Sequence, residues 1–240
     1  MSLLLHCGSE QVTLDQVKQV PVPQATKTWR PVAYGDAVDY LKHQALLKLG
    51  LEIESEGYGL NAKADQMFAL LTMKTNSDES GLSIGMRQSY NKSLALGVAV
   101  GQQVFVCDNL MFSGSAFQVV RKNTLNVWAD FQRLVAGQMT SALGHYQNME
   151  RDTRLMKALP CHEQRGYAIL GVALGEGLLT PTQATVAYGD WQQPRHEEFA
   201  ERTMWSLYNC VTEGLKKGSP ARTLDRHAAA HDWFMGRLAS

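Results

Sequence analysis

The sequence predicts an α+β fold: a curved antiparallel sheet over about residues 51–110, backed by an N-terminal helix and covered by a C-terminal helical region. Two observations predict it. Apolar side chains recur at every second position through much of Leu51 to Cys107, the strand period, and at every third or fourth from Thr124 onward, the helix period. The strand signals also precede the helix signals instead of alternating with them, which argues against a parallel α/β sheet. Residues 1–30 then read as an extended arm, 31–123 as the sheet region, and 124–240 as helices packed on it in one cooperative unit.

Bulk composition excludes several classes. At 240 residues, with 45% hydrophobic and 19% charged side chains, the chain is globular and can bury a full core. Lysine plus arginine equals aspartate plus glutamate at 23 each, which excludes a protein wholly devoted to coating polyanions but not a local basic patch. Cys7, Cys107, Cys161 and Cys210 form no CxxC pair and read as reduced, buried thiols. Leu3-Leu4-Leu5 is too short for a signal-peptide core, and no apolar run approaches the ~20 residues that span a bilayer. A cytoplasmic protein with no membrane partner is expected.

In chain order, Leu14 and Val17 fit one helical turn before the extended Val20-Pro21-Val22-Pro23, and Trp29-Arg30-Pro31 fits an arm docked on the core. Asp36 to Leu49 predicts a helix with Asp36 as cap and Gly50 as its left-handed stop. Glu52, Glu54 and Glu56 alternate along a solvated face of an edge strand, followed by a turn region over Gly57 to Asp65 and a buried strand over Met67 to Met73. The densest strand signal runs from Gly81 to Gly114. Leu82, Ile84 and Met86 share one face; a turn carrying Arg87, Tyr90, Asn91 and Lys92 stands out from the ribbon. The small residues Ala95, Gly97, Ala99 and Gly101 mark close packing against one face of the next strand. Gln102-Gln103 then turns the chain into Val104 to Cys107, which Asp108-Asn109 ends. A long amphipathic helix follows from Leu125 to Tyr146, then helices at Arg151 to Leu159 and Glu163 to Gly175. Thr180-Pro181-Thr182-Gln183 is a capping box, Pro194 opens another helix, and Leu224 to Leu238 is the last.

Candidate chemistry is sparse. His227 and His231 lie one helical turn apart, but HExxH is absent, as it is around His196-Glu197-Glu198 and Cys161-His162-Glu163. The pair reads as exposed histidines, with no metal and no cofactor expected. There is no GxSxG elbow and no phosphate-binding glycine loop, so no catalytic residue is assigned. Arg87 and Lys92 offer phosphate partners and Tyr90 a stacking ring, the minimal kit for single strands, and Arg121-Lys122 would extend a basic path. The plain alternative is a hydrophilic turn. Asn209 and Glu213, one turn apart amid large apolar residues, read as buried structural polar groups.

Three segments together resemble the phage/plasmid-like domain of unknown function 932. Gly85 to Ser93 is similar to its R-x-S-x-(D/N)-x-S hairpin, with Asn91 where Asp is usual. Val106-Cys107-Asp108-Asn109-Leu110 is similar to its V-C-x-N strand end, and Trp205 to Glu213, including Asn209, Thr212 and Glu213, to its N-A-x-T-E helix, with Cys210 for the usual Ala. The likeness spans roughly Trp29 to Lys217. It implies a role in the DNA metabolism of mobile elements, and the order of elements is similar to that of phage single-strand annealing proteins. The expected function is therefore non-enzymatic binding or annealing of single-stranded DNA by Arg87, Tyr90, Asn91, Lys92, Arg121 and Lys122, in a homo-oligomeric ring or filament. The alternatives are a factor that binds a host nuclease or defence protein, and an enzyme on nucleic acid with a site around Arg87, Asp108, Asn109, Asn209 and Glu213.

Overall fold

The computed structural model describes residues 9–77, 79–104, 109–119, 125–218 and 222–238. Its strands β1 (Ser9–Val12), β2 (Ile53–Asn61), β3 (Gln66–Met73), β4 (Ser80–Ser89), β5 (Gly97–Val104) and β6 (Asn109–Val119) form one open sheet in chain order, each antiparallel to the next. The helices are α1 (Leu14–Gln19), α2 (Tyr34–Leu49), α3 (Val127–Ala158), α4 (Glu163–Gly175), α5 (Pro181–Gln192), α6 (Met204–Leu215) and α7 (Thr223–Leu238). The class is α+β as predicted.

Register explains which face meets which helix. Met67, Ala69, Leu71 and Met73 of β3 lie opposite Gln88, Met86, Ile84 and Leu82 of β4, and Val98 and Val100 of β5 continue that face. Nearly all of these side chains are apolar and all are buried. They face α2 and α3: Lys42 of α2 pairs with Glu56 at 2.5 Å, and Thr153 of α3 donates to Gln102 Oε1 at 3.2 Å. Arg87, Gly85 and Ser83 lie on the other face, yet every residue of β4 is buried. Of the small residues expected to mark close packing, Gly97, Ala99 and Gly101 are on this second face and buried too, whereas Ala95 precedes β5 and is half-buried. α7 runs along β6.

Several boundaries differ from those expected, each for a local reason. The sheet begins at Ser9, because β1 pairs with the second half of β2, so residues 9–12 are strand and not extended arm, while α1 is the helical turn expected at Leu14 and Val17. The supposed turn region from Gly57 to Asp65 is mostly β2, since its glycines sit inside the ladder, and the turn itself is confined to residues 62–65. α2 starts two residues before Asp36; its N-cap is Ala33, without a side-chain cap, and Asp36 instead occupies the first turn. Gly50 does stop the helix, at φ 64°. Gln102 and Gln103 are interior to β5, where hydrogen bonds satisfy both amides, so they make no turn. Asn109 begins β6 where a strand end was expected.

The helices at Leu125 to Tyr146 and Arg151 to Leu159 are one helix, α3, of 32 residues and about 48 Å. The expected gap at residues 147–150 is helical, with Met149 buried there, and Asp152 and Thr153 beyond it are buried with partners in hand. The Thr180 box caps α5 as read from sequence, with Gln183 N–H donating to Thr180 Oγ1. Pro194 opens no helix: only a 3-10 turn, Glu197–Phe199, precedes α6, which Thr203 caps. No helix among the described residues is long and apolar enough to cross a membrane.

Candidate nucleic-acid interface

Three segments meet at one end of the sheet: the arm before α2, the β2–β3 turn and the β4–β5 turn. Hydrogen bonds fix each of them. In the first turn, Asn61 Oδ1 accepts from the N–H groups of Asp65 at 2.9 Å and Gln66 at 3.0 Å, which holds Ala64 at φ 53°. In the second, the Leu94 N–H donates to Ser89 Oγ at 2.9 Å and the Ser93 N–H to Asn91 Oδ1 at 2.9 Å, which leaves Lys92 at φ 66°. Gln66 Nε2 donates to Ser93 Oγ at 2.8 Å and ties the two turns together. These are the described non-glycine residues with positive φ, a conformation that disfavours side chains with a Cβ.

The arm is joined to the second turn by a tyrosine clasp. The Tyr34 and Tyr90 rings stack at 3.8 Å and 6°. The Tyr34 N–H donates to Tyr90 Oη at 3.1 Å, and the Tyr90 N–H donates to Tyr34 Oη at 3.2 Å and to the Asp65 carbonyl at 2.8 Å. Burial pushes both phenols up, so they stay neutral. Gln88 Nε2 adds a bond to the Val32 carbonyl at 2.5 Å. The clasp delivers Trp29 to the turn, and Lys92 Nζ lies 5.0 Å from the centre of its half-buried ring, within cation–π range. Lys27, Arg30, Lys63 and Lys92 are all exposed on these segments, and none makes an ion pair among the described residues.

The structure therefore rearranges the predicted kit. Lys92 and Asn91 are exposed, as expected of a turn. Tyr90 is 8% exposed and engaged with Tyr34, so it is no platform for a base. Arg87 is not held out from the ribbon either: it is buried in β4, and its Nη1 lies 3.3 Å from Asp225 of α7. Arg121, Lys122, Cys107 and Asp108 lie outside the described residues, as does the side chain of Asn109. Sequence reasoning assigned no site role to Trp29, Arg30 or Lys63. The turn chemistry of Asn61 to Asp65 was the available signal for Lys63, but nothing local to the arm announces that it meets the β4–β5 turn.

The late-helix group is buried and has partners within the fold. Every residue of α6 is buried. Asn209 Nδ2 donates to the Trp205 carbonyl at 2.9 Å, and Thr212 Oγ1 to the Asn209 carbonyl at 3.0 Å. Glu213 sits between Arg195 at 3.1 Å and Lys216 at 2.7 Å. Burial pushes its carboxyl up, but the two cations outweigh that and hold it below the usual carboxylate range. His227 and His231 are buried, not exposed, because α7 turns this face inward; His231 Nε2 is 3.2 Å from Asp152. No group of three potential metal ligands occurs among the described residues.

No curated protein and no solved structure matches the chain. A family model does match, over residues 25–232, which takes in the clasp, both turns and the late helix. The chain belongs to the family described as the domain of unknown function DUF932.

Proposed function

We propose that this protein binds single-stranded nucleic acid, without chemistry of its own, along the turn end of its sheet. One observation carries the reading: an unpaired cation, Lys92, is held in a left-handed turn over the half-buried ring of Trp29, amid Lys27, Arg30 and Lys63. Cations that track a backbone beside an aromatic face are what single strands need, and four of them supply a useful local field on a chain with no net charge. Trp29, half-buried where Tyr90 is buried, is the aromatic ring left partly open to solvent at this end. The commitment of Glu213 to Arg195 and Lys216 favours binding over catalysis, since a paired carboxylate is a poor general base. Annealing of complementary strands, in a protein of a phage or plasmid-like mobile element, is the finer form of this proposal.

The test is anisotropy of a labelled oligothymidylate of about 16 nucleotides, the upper end of common site sizes. Wild type should bind at low salt, and Lys63→Ala/Lys92→Ala should weaken binding and flatten the salt dependence by roughly 0.7 per lost phosphate contact. Binding that is absent, or indifferent to both substitutions, rejects the proposal. A protein partner is the second reading, favoured by Leu47 and Leu143, 63% and 41% exposed on α2 and α3.

A further inference from the structure

Beside the cationic end, a cleft of about 320 Å³ opens between the arm and the start of α3. It is lined by Arg30 and Pro31 of the arm, Asp36 of the first turn of α2, and Leu125, Val127 and Trp128 at the start of α3. Its volume is at the small end of ligand sites. Trp128 is held by its neighbours, with Tyr40 edge-on at 5.6 Å and Phe131 tilted at 5.7 Å, yet it stays 37% exposed. Leu125 is 67% exposed on the same wall. A fixed indole and an open leucine facing a cation invite a flat apolar ligand with an anionic tail. Arg30 lines the cleft and follows Trp29 directly in the chain, which puts the cleft next to the Trp29–Lys92 pair along the arm.

We infer that this cleft is a base-binding subsite: an unpaired nucleobase lies against Trp128 and Leu125, its phosphate on Arg30 and its edge towards Asp36. The inference rests on the proposed single-strand binding. A carboxylate accepts from an exocyclic amine, as of cytosine, and repels the carbonyl that thymine has at that position. The subsite thus prefers amine-bearing bases to thymine.

The experiment compares oligo-dC with oligo-dT of equal length, binding to the full chain. Wild type should bind oligo-dC tighter by roughly threefold or more. Trp128→Ala should weaken both by about tenfold, the loss of one base stack. Asp36→Ala should abolish the preference, weakening oligo-dC and, with the repulsion relieved, strengthening oligo-dT. Because Trp128 also supports α3, Leu125→Glu, at a side chain mostly in water, serves as the variant that leaves the core alone; it should weaken both oligonucleotides. Equal binding of the two oligonucleotides, with Trp128→Ala and Leu125→Glu silent while Lys92→Ala still weakens binding, overturns the subsite and leaves this wall to a protein partner. Failure of wild type to bind either oligonucleotide overturns the subsite together with the single-strand reading.

Discussion

A phenol oxygen that accepts a buried N–H does two jobs at once, satisfying the donor and pinning one segment to another. The Tyr34–Tyr90 clasp does this in both directions, but unequally. The Tyr90 N–H keeps the Asp65 carbonyl if the Tyr34 hydroxyl is removed, whereas the Tyr34 N–H, at the uncapped start of α2, has Tyr90 Oη as its one acceptor among the described residues. Tyr90→Phe should therefore cost about 1 to 3 kcal/mol and Tyr34→Phe clearly less, read from denaturant midpoints at constant m. Negligible loss in both variants would show that ring stacking, not the hydroxyls, holds the arm, and equal substantial losses would contradict the asymmetry. Nothing in the residues near Tyr90 told that its ring would turn inward. Its partner lies 56 residues earlier in the chain, and a pairing at that distance leaves no local pattern. Lys92 and Asn91 could be placed because turn chemistry is local.

At the level of elements, legibility followed the same division. Gly50, the Thr180 box and the period of α4 are local signals: α2 and α4 came out nearly to the residue, and α5 starts where its box was read. α3 was split in two at residues 147–150, mostly polar side chains, although buried Met149 carries the apolar stripe across them. α6 was legible as a buried stripe but not as a helix buried all round. Its closeness to α5 depends on Gly214: a Cβ there would lie 2.5 Å from the Gln183 carbonyl oxygen. Gly214→Ala should thus destabilise by about 1 to 3 kcal/mol, despite the better helix propensity of alanine, because a backbone atom cannot yield as a side chain does. A thermal midpoint equal to or above wild type would contradict that packing. The nucleic-acid proposal is indifferent to this result, since α5 and α6 lie outside the turn end.

For the molecule as a whole, acid should loosen the attachment of α7. Burial holds the His231 imidazole below its ordinary 6.5 even though Asp152 and Asp232 favour its protonated form. The unfolded chain therefore takes up this proton at higher pH than the folded one. Its contribution is complete above 6.5 and is lost as pH falls through 6.5 toward the folded value. Glu213, held below its ordinary 4.5, adds a further loss in more acid solution. The thermal midpoint should drop between about pH 7 and about pH 5, and His231→Gln should flatten that drop; an unchanged slope would assign it elsewhere. The same whole-molecule view explains why function was less legible than fold. The cationic end is assembled from the arm, the β2–β3 turn and the β4–β5 turn, so each segment alone reads as an ordinary hydrophilic stretch. The most direct test is hydrogen exchange with and without single-stranded oligonucleotide. Slowed exchange at residues 26–30, 62–66 and 90–93 together is the predicted result. Protection confined to the outer faces of α2 and α3, or no protection at saturating oligonucleotide, would contradict it.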